Sequence, residues 1–141
     1  MKKRILCYGD SNTWGYDAFT DGRFGEDVRW TGVLQKLLGE DYIIIEEGLC
    51  GRTTVFEDPL NEGLNGLTYI HPCMMTHSPM DCLVIMLGTN DCKERFGVSA
   101  RNIACGMKRL LIKALQTPAW RKLPHILLVA PGAIEKGCES S

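Results

Sequence analysis

The chain has 141 residues, of which 45% are hydrophobic and 23% charged, and its formal net charge is -1. That length fits a single domain over residues 1–141 with a real core. The composition excludes a disordered chain, and the near-neutral charge excludes the electrostatic footprint of a nucleic-acid binder.

Met1-Lys2-Lys3-Arg4 is basic, but the apolar run after it is too short for a signal peptide, and no stretch is long enough to span a membrane. Ile5–Tyr8 reads as a buried strand that breaks into Gly9-Asp10-Ser11-Asn12. Trp30 to Leu38 reads as a helix with Val33, Leu34, Leu37 and Leu38 on one side, ended by Gly39. Tyr42–Ile45 is a second strand, and a polar cluster from Gly48 to Thr54 lies shortly beyond it. Cys82–Leu87 is a third, followed by Gly88-Thr89-Asn90-Asp91. Ser99 caps a helix reaching about Gln116, with Ile103, Met107, Leu110, Leu111, Ala114 and Leu115 at 3.6-residue spacing. Gly106 inside it costs roughly 1 kcal/mol against alanine. Ile126–Ala130 is a fourth strand.

Strands alternating with helices imply an α/β fold, a parallel sheet with helices on both faces. In such sheets ligands bind beyond the carboxyl ends of the strands, where the three polar clusters fall. The seven cysteines (Cys7, Cys50, Cys73, Cys82, Cys92, Cys105 and Cys138) form no C-x-x-C pair. They read as reduced thiols of a cytoplasmic protein, with no disulfide framework and no metal site.

Each cluster admits two readings. Ser11 suits a helix cap or a nucleophile on a tight strand-to-helix turn. Gly51 suits a positive-φ turn or a bare N–H that approaches a substrate oxygen. Asn90 suits an Asx turn or a side-chain oxyanion donor. As a functional set, two backbone donors and one amide converge on one oxygen.

Gly9-Asp10-Ser11-Asn12, Gly51 and Gly88-Thr89-Asn90-Asp91 resemble the first three motif blocks of the SGNH (GDSL-type) esterases and lipases. The stretches "RILCYGDSNTWGYD", "DVRWTGVL", "EEGLCGRTT", "LNG" and "IMLGTND" resemble the arylesterase and acyl-hydrolase branch. The resemblance covers residues 1 to about 131. It implies a flavodoxin-like three-layer sandwich with sheet order 2-1-3-4, the family's fifth strand and final helix being absent. It implies that Ser11 is the nucleophile, with the Ser11 N–H, the Gly51 N–H and the Asn90 side chain as the oxyanion hole. Asp10, Trp14 and Arg52 match positions at or near the substrate pocket. The implied substrate is a small carboxylic or aryl ester, or a thioester, with no cofactor.

The family's base, a histidine in an Asp-x-x-His block near the carboxyl terminus, has no counterpart in this sequence. The three histidines are His71, His77 and His125. His77 and His125 precede strands, which places them about 16 Å below the catalytic edge, at about 3.3 Å per residue. Asp10 adjoins Ser11, and its side chain should diverge from it. The chain therefore reads as the amino-terminal two-thirds of a hydrolase, nearly inactive by itself. Its fourth strand should present an apolar edge that pairs with a second copy or a separate segment. Two other classes stay open: a nucleotide binder using Ser11, Asn12 and Thr13 at a phosphate, and a non-catalytic interaction module.

Overall fold

The computed structural model describes residues 1–133. In chain order its elements are β1 (Lys3–Gly9), α1 (Ser11–Trp14), β2 (Tyr16–Asp17), β3 (Gly22–Arg23), α2 (Trp30–Leu38), β4 (Tyr42–Gly48), α3 (Gly66–Thr76), β5 (Cys82–Met86), α4 (Ala100–Gln116) and β6 (Ile126–Leu128). Cys138, expected as a free thiol, lies outside the described residues; the other six cysteines are free.

The apolar runs become the main sheet because strands buried on both faces need apolar side chains on both. Its order is β4-β1-β5-β6, with all neighbours parallel. This matches the expected 2-1-3-4 order of the four apolar runs. β2 and β3 form a separate two-stranded antiparallel hairpin. Each is two residues long, too short to leave a period-two signal in the sequence.

The core lies between the sheet and the α3/α4 layer. Leu6, Tyr8, Leu83, Ile85 and Leu87 meet Ile70, Met74, Leu110 and Ala114, all at most 2% exposed. Each such side chain contributes roughly 1.5–3 kcal/mol by leaving water. α3 interrupts its own ladder with Pro72, whose ring sits on the exposed side.

α2 is docked by polar contacts as much as by apolar ones. Leu37 is 79% exposed and Val33 42%, so the expected apolar side is only partly covered. Thr31 is buried instead and donates to the Glu46 carboxylate. Gln35 accepts from the Ile44 N–H at 2.9 Å and donates to the Tyr42 carbonyl at 2.9 Å. These bonds satisfy the outer edge of β4, which no other strand of the sheet covers. On α4, Leu110 and Ala114 are buried as expected, whereas Leu115 is 48% exposed.

The carboxyl edge is shaped by a short helix pressed onto two paired glycines. Gly9 and Gly48 are register partners at the ends of β1 and β4. A Cβ on Gly9 would overlap the Thr13 side chain, and one on Gly48 would overlap the main chain at Thr13–Trp14. With no side chains there, α1 settles directly on the sheet ends. Gly48→Ala should push α1 off this seat. We expect a loss of about 1–3 kcal/mol, the usual cost of overpacking, read as a lower urea midpoint. An unchanged midpoint would show that α1 does not rest on Gly48.

Candidate active site

Asp10, the residue after β1, caps α1. Its carboxylate accepts the Asn12 N–H at 2.9 Å, and its carbonyl accepts the N–H groups of Thr13 and Trp14. The Ser11 N–H is the first-turn donor left outside these contacts, at the helix position where such donors have no intrahelical partner. Ser11 is part-exposed above the sheet edge. The expected tight strand-to-helix turn is therefore present, and the cap is Asp10 rather than Ser11.

The second cluster follows β4. Gly51 has φ +88°, a backbone conformation that side chains rarely adopt, and a Cβ there would also press on Leu64. The third cluster follows β5. Asn90 opens a 3₁₀ turn, Asn90–Cys92, and is 8% exposed. Its amide donates to the Arg52 carbonyl at 3.1 Å, which fixes the side chain and leaves the second amide hydrogen available.

Ser11, Gly51 and Asn90 line one cleft of about 380 Å³ at the carboxyl edge of the sheet, together with Trp14, Tyr16, Asp21, Cys50 and Lys93. Four of the six expected site residues thus share a wall. Two do not. Asp10 is 1% exposed and engaged as the cap, and burial pushes its carboxyl above the usual range. Arg52 is 2% exposed, so it is no surface cation at a pocket mouth. Its Nη1 donates to the carbonyls of Gly9 (3.0 Å) and Glu47, and the guanidinium stacks 4.1 Å from the Tyr8 ring centroid and 5.2 Å from that of Tyr69. A buried charge needs such partners, and here they are carbonyls and rings.

The cleft wall also holds residues that the sequence pattern did not single out. The β2–β3 hairpin brings Tyr16, whose hydroxyl donates to Asp21 at 2.8 Å. Arg23 donates to the Trp14 carbonyl at 2.7 Å and lies 4.6 Å over its ring. Below the cleft, Asp91 is fully buried and accepts from the Thr54 N–H (3.1 and 3.2 Å) and the Thr54 hydroxyl. Burial raises its pKa, and the Thr54 bonds act against that. This contact locks the second cluster to the third. Adjacency to Asn90 was the one available signal for it.

No histidine reaches this cleft. His77 Nε2 pairs with Glu47 Oε1 at 2.8 Å, and His71 Nδ1 lies 3.4 Å from the Thr117 hydroxyl. His125 lines a different cavity, at the amino ends of the strands, with Lys3, Asp81 and Arg121. His125 stands at the amino ends as expected, whereas His77 does not: the end of α3 brings its ring to Glu47, the penultimate residue of β4.

A family model for GDSL-like lipases and acylhydrolases matches residues 7–137. Among solved structures, the inhibitor-bound aryl esterase of M. smegmatis shares 45% identity, with a TM-score of 0.84 over 92% of this chain and 64% of that one. A carbohydrate acetylesterase family member from Sinorhizobium meliloti shares 42%, with a TM-score of 0.84 over 92% of this chain and 62% of that one. The chain thus spans less than two thirds of the length of these solved relatives. Comparison with curated proteins gives no match.

Beyond Asn90 the chain is tied back by Arg95, which binds Asp58 at 2.7 Å and 3.2 Å. The Arg95 hydrogen bonds hold the Asp58 carboxyl well below its ordinary value of 3.8. Because the folded pKa is depressed, the ion pair's contribution is present above that ordinary value and is lost as pH falls below it. Arg95→Ala should therefore destabilise the chain at pH 7, and the gap to the parent should narrow by about pH 3. Urea unfolding at both pH values checks this. A gap that is constant with pH would assign the loss to packing alone.

Proposed function

Because the chain belongs to the GDSL-like lipase and acylhydrolase family, we propose that it carries the nucleophile and oxyanion hole of a serine esterase acting on small carboxylic or aryl esters. One observation carries this reading: Ser11, Gly51 and Asn90, from three separate strand ends, line a single cleft. The similar solved proteins, an aryl esterase and a carbohydrate acetylesterase family member, support small acyl groups on aryl or sugar alcohols as the substrate class.

In this mechanism Ser11 Oγ attacks the ester carbon while its proton passes to a base. The carbonyl oxygen becomes an oxyanion held by the N–H groups of Ser11 and Gly51 and the Asn90 amide. Collapse expels the alcohol and leaves an acyl-Ser11 ester. Water then attacks that ester, releasing the carboxylic acid and restoring the hydroxyl. Trp14 and Tyr16 wall the cleft beside the acyl carbon and limit its size.

The base is a histidine contributed by a separate segment of polypeptide, since His71, His77 and His125 are engaged away from Ser11. Loss of the histidine in a serine hydrolase costs about 10⁶ in kcat, while the oxyanion hole and binding retain about 10³–10⁴ over water. This chain alone should accordingly react slowly at Ser11. The β6 edge is where further polypeptide would add. Leu127 is 56% exposed and Leu128 47%, and among the described residues β6 pairs with β5 only. Light scattering should find the isolated chain self-associated at tens of micromolar. A stable 15.7 kDa monomer would show that the edge is covered another way.

A fluorophosphonate probe tests the site directly. It should label the parent slowly, label faster in the presence of free imidazole, and leave Ser11→Ala unlabelled. Undiminished labelling of Ser11→Ala would overturn the assignment. In a form that turns over an aryl acetate, Asn90→Ala should lower kcat by about 10²–10³, with KM little changed. A tenfold rise in KM at unchanged kcat would make Asn90 a ground-state binding residue.

A further inference from the structure

Away from the cleft, α3 and the end of β4 bring three different ligand types together. Cys73 and His77 stand one turn apart on the same side of α3, and Glu47 faces them from β4. A sulfur, an imidazole nitrogen and a carboxylate oxygen, one from each, all lie within 4.8 Å of one another. We propose that Glu47, Cys73 and His77 form a zinc-type metal site that pins α3 to the carboxyl end of β4.

The donor set favours this ion class. Thiolate with imidazole suits zinc or cobalt, whereas magnesium and calcium take oxygen ligands. Three protein ligands leave a fourth tetrahedral position for water. The separations need only modest adjustment, since Zn–S is about 2.3 Å and Zn–N and Zn–O about 2.0–2.2 Å. His77 Nε2 and Glu47 Oε1, hydrogen-bonded at 2.8 Å, exchange that bond for two bonds to the ion and part slightly. An entry path exists, because the side chains of His77 and Glu47 are 23% and 20% exposed. Cys73, at 1%, forms the inner wall.

Supporting contacts hold the ligands in place. The Tyr69 hydroxyl lies 3.3 Å from Glu47 Oε2 and can orient the carboxylate. The His77 N–H donates to the Cys73 carbonyl at 3.2 Å, and the His77 carbonyl accepts from Arg4 at 3.2 Å. On binding, the thiol proton goes to solvent, a metal–sulfur bond forms, and nothing is oxidised. Thiolate and carboxylate together balance the ion's two charges, which matters because the Arg52 guanidinium stacks on Tyr69 close by. The spacing C-x₃-H on one helix carries no zinc signature without Glu47, which is why the sequence alone did not show it.

The test is a cobalt titration of the reduced full chain after chelator treatment. The expected result is one equivalent bound, with a thiolate-to-cobalt charge-transfer band and intense tetrahedral d–d bands. Zinc should displace the cobalt and raise the melting temperature. Losing even an outer-shell partner costs metal sites about 10–100-fold in affinity, so loss of a ligand should cost at least that. Cys73→Ser should abolish the charge-transfer band. His77→Gln, at a part-exposed position that folding tolerates, should weaken cobalt binding by at least about 10-fold and remove the zinc-induced melting shift. No band in the parent, or a band of unchanged affinity in either variant, would overturn the proposal.

Discussion

The carboxyl edge of this sheet is held by a guanidinium that bonds no carboxylate among the described residues. Arg52 bonds the carbonyls of Gly9 and Glu47, the last turns of β1 and β4 before their loops begin. Its own carbonyl accepts the Asn90 amide from the loop after β5. One residue thereby fixes the relative position of the three segments that carry Ser11, Gly51 and Asn90. Stacking between Tyr8 and Tyr69 offsets part of the solvation that burial removed, while the Arg52 Nε–H has no hydrogen-bond partner among the described residues. Lysine would not substitute, since its point charge lacks a planar fork that bonds carbonyls while lying flat on rings.

The other constraints act through the same loops. Gly9 and Gly48 lower α1 onto the sheet, so the chain reverses within one residue of the strand and Ser11 emerges at its top. Asp91 reaches under the cleft to Thr54, and Arg95 reaches to Asp58, so the segment after β5 is bound twice to the segment after β4. A buried carboxylate that accepts both donors of one threonine leaves little freedom to the neighbouring Asn90. An oxyanion hole stabilises charge well only when its dipoles are already oriented, and for the proposed hole this bracing would supply that orientation.

The strands were legible because parallel strands buried on both sides must be apolar throughout, and Ile5–Tyr8 and Cys82–Leu87 are. α4 was legible from Ser99 and its period. Gly106 looked like a defect in that helix, yet a Cβ there would meet Val55, so the glycine admits the loop after the second cluster. α3 was not legible: Pro72 breaks its pattern and both its faces carry apolar residues, Leu67 and Ile70 buried, Tyr69 and Met75 exposed. Within the site, Ser11, Trp14, Gly51 and Asn90 share the cleft wall, as the motif order suggested. Arg52 did not, because its partners are carbonyls and rings distant in sequence, which no local pattern encodes. Tyr16 and Asp21 were missed for a similar reason, since their hairpin has two residues per strand.

The placement of His125 follows from the same topology. In a parallel sheet every strand points its carboxyl end at the cleft, so a residue that precedes a strand starts at the opposite end. His125 precedes β6 and sits with Lys3 and Arg121 in the cavity at that opposite end. His77 departs from this rule: it closes α3 just before β5, yet its ring pairs with Glu47, the penultimate residue of β4. Asp10 is near enough to Ser11, and its burial moves its pKa in a base's direction, but its carboxylate already accepts the Asn12 N–H that builds the turn. Withdrawing it to take a proton would undo the geometry that presents Ser11. In the proposed reaction, the edge of this sheet stabilises negative charge on a substrate oxygen and supplies no proton acceptor from Asp10. On that proposal the proton acceptor is a group brought to the carboxyl ends of the strands by another segment.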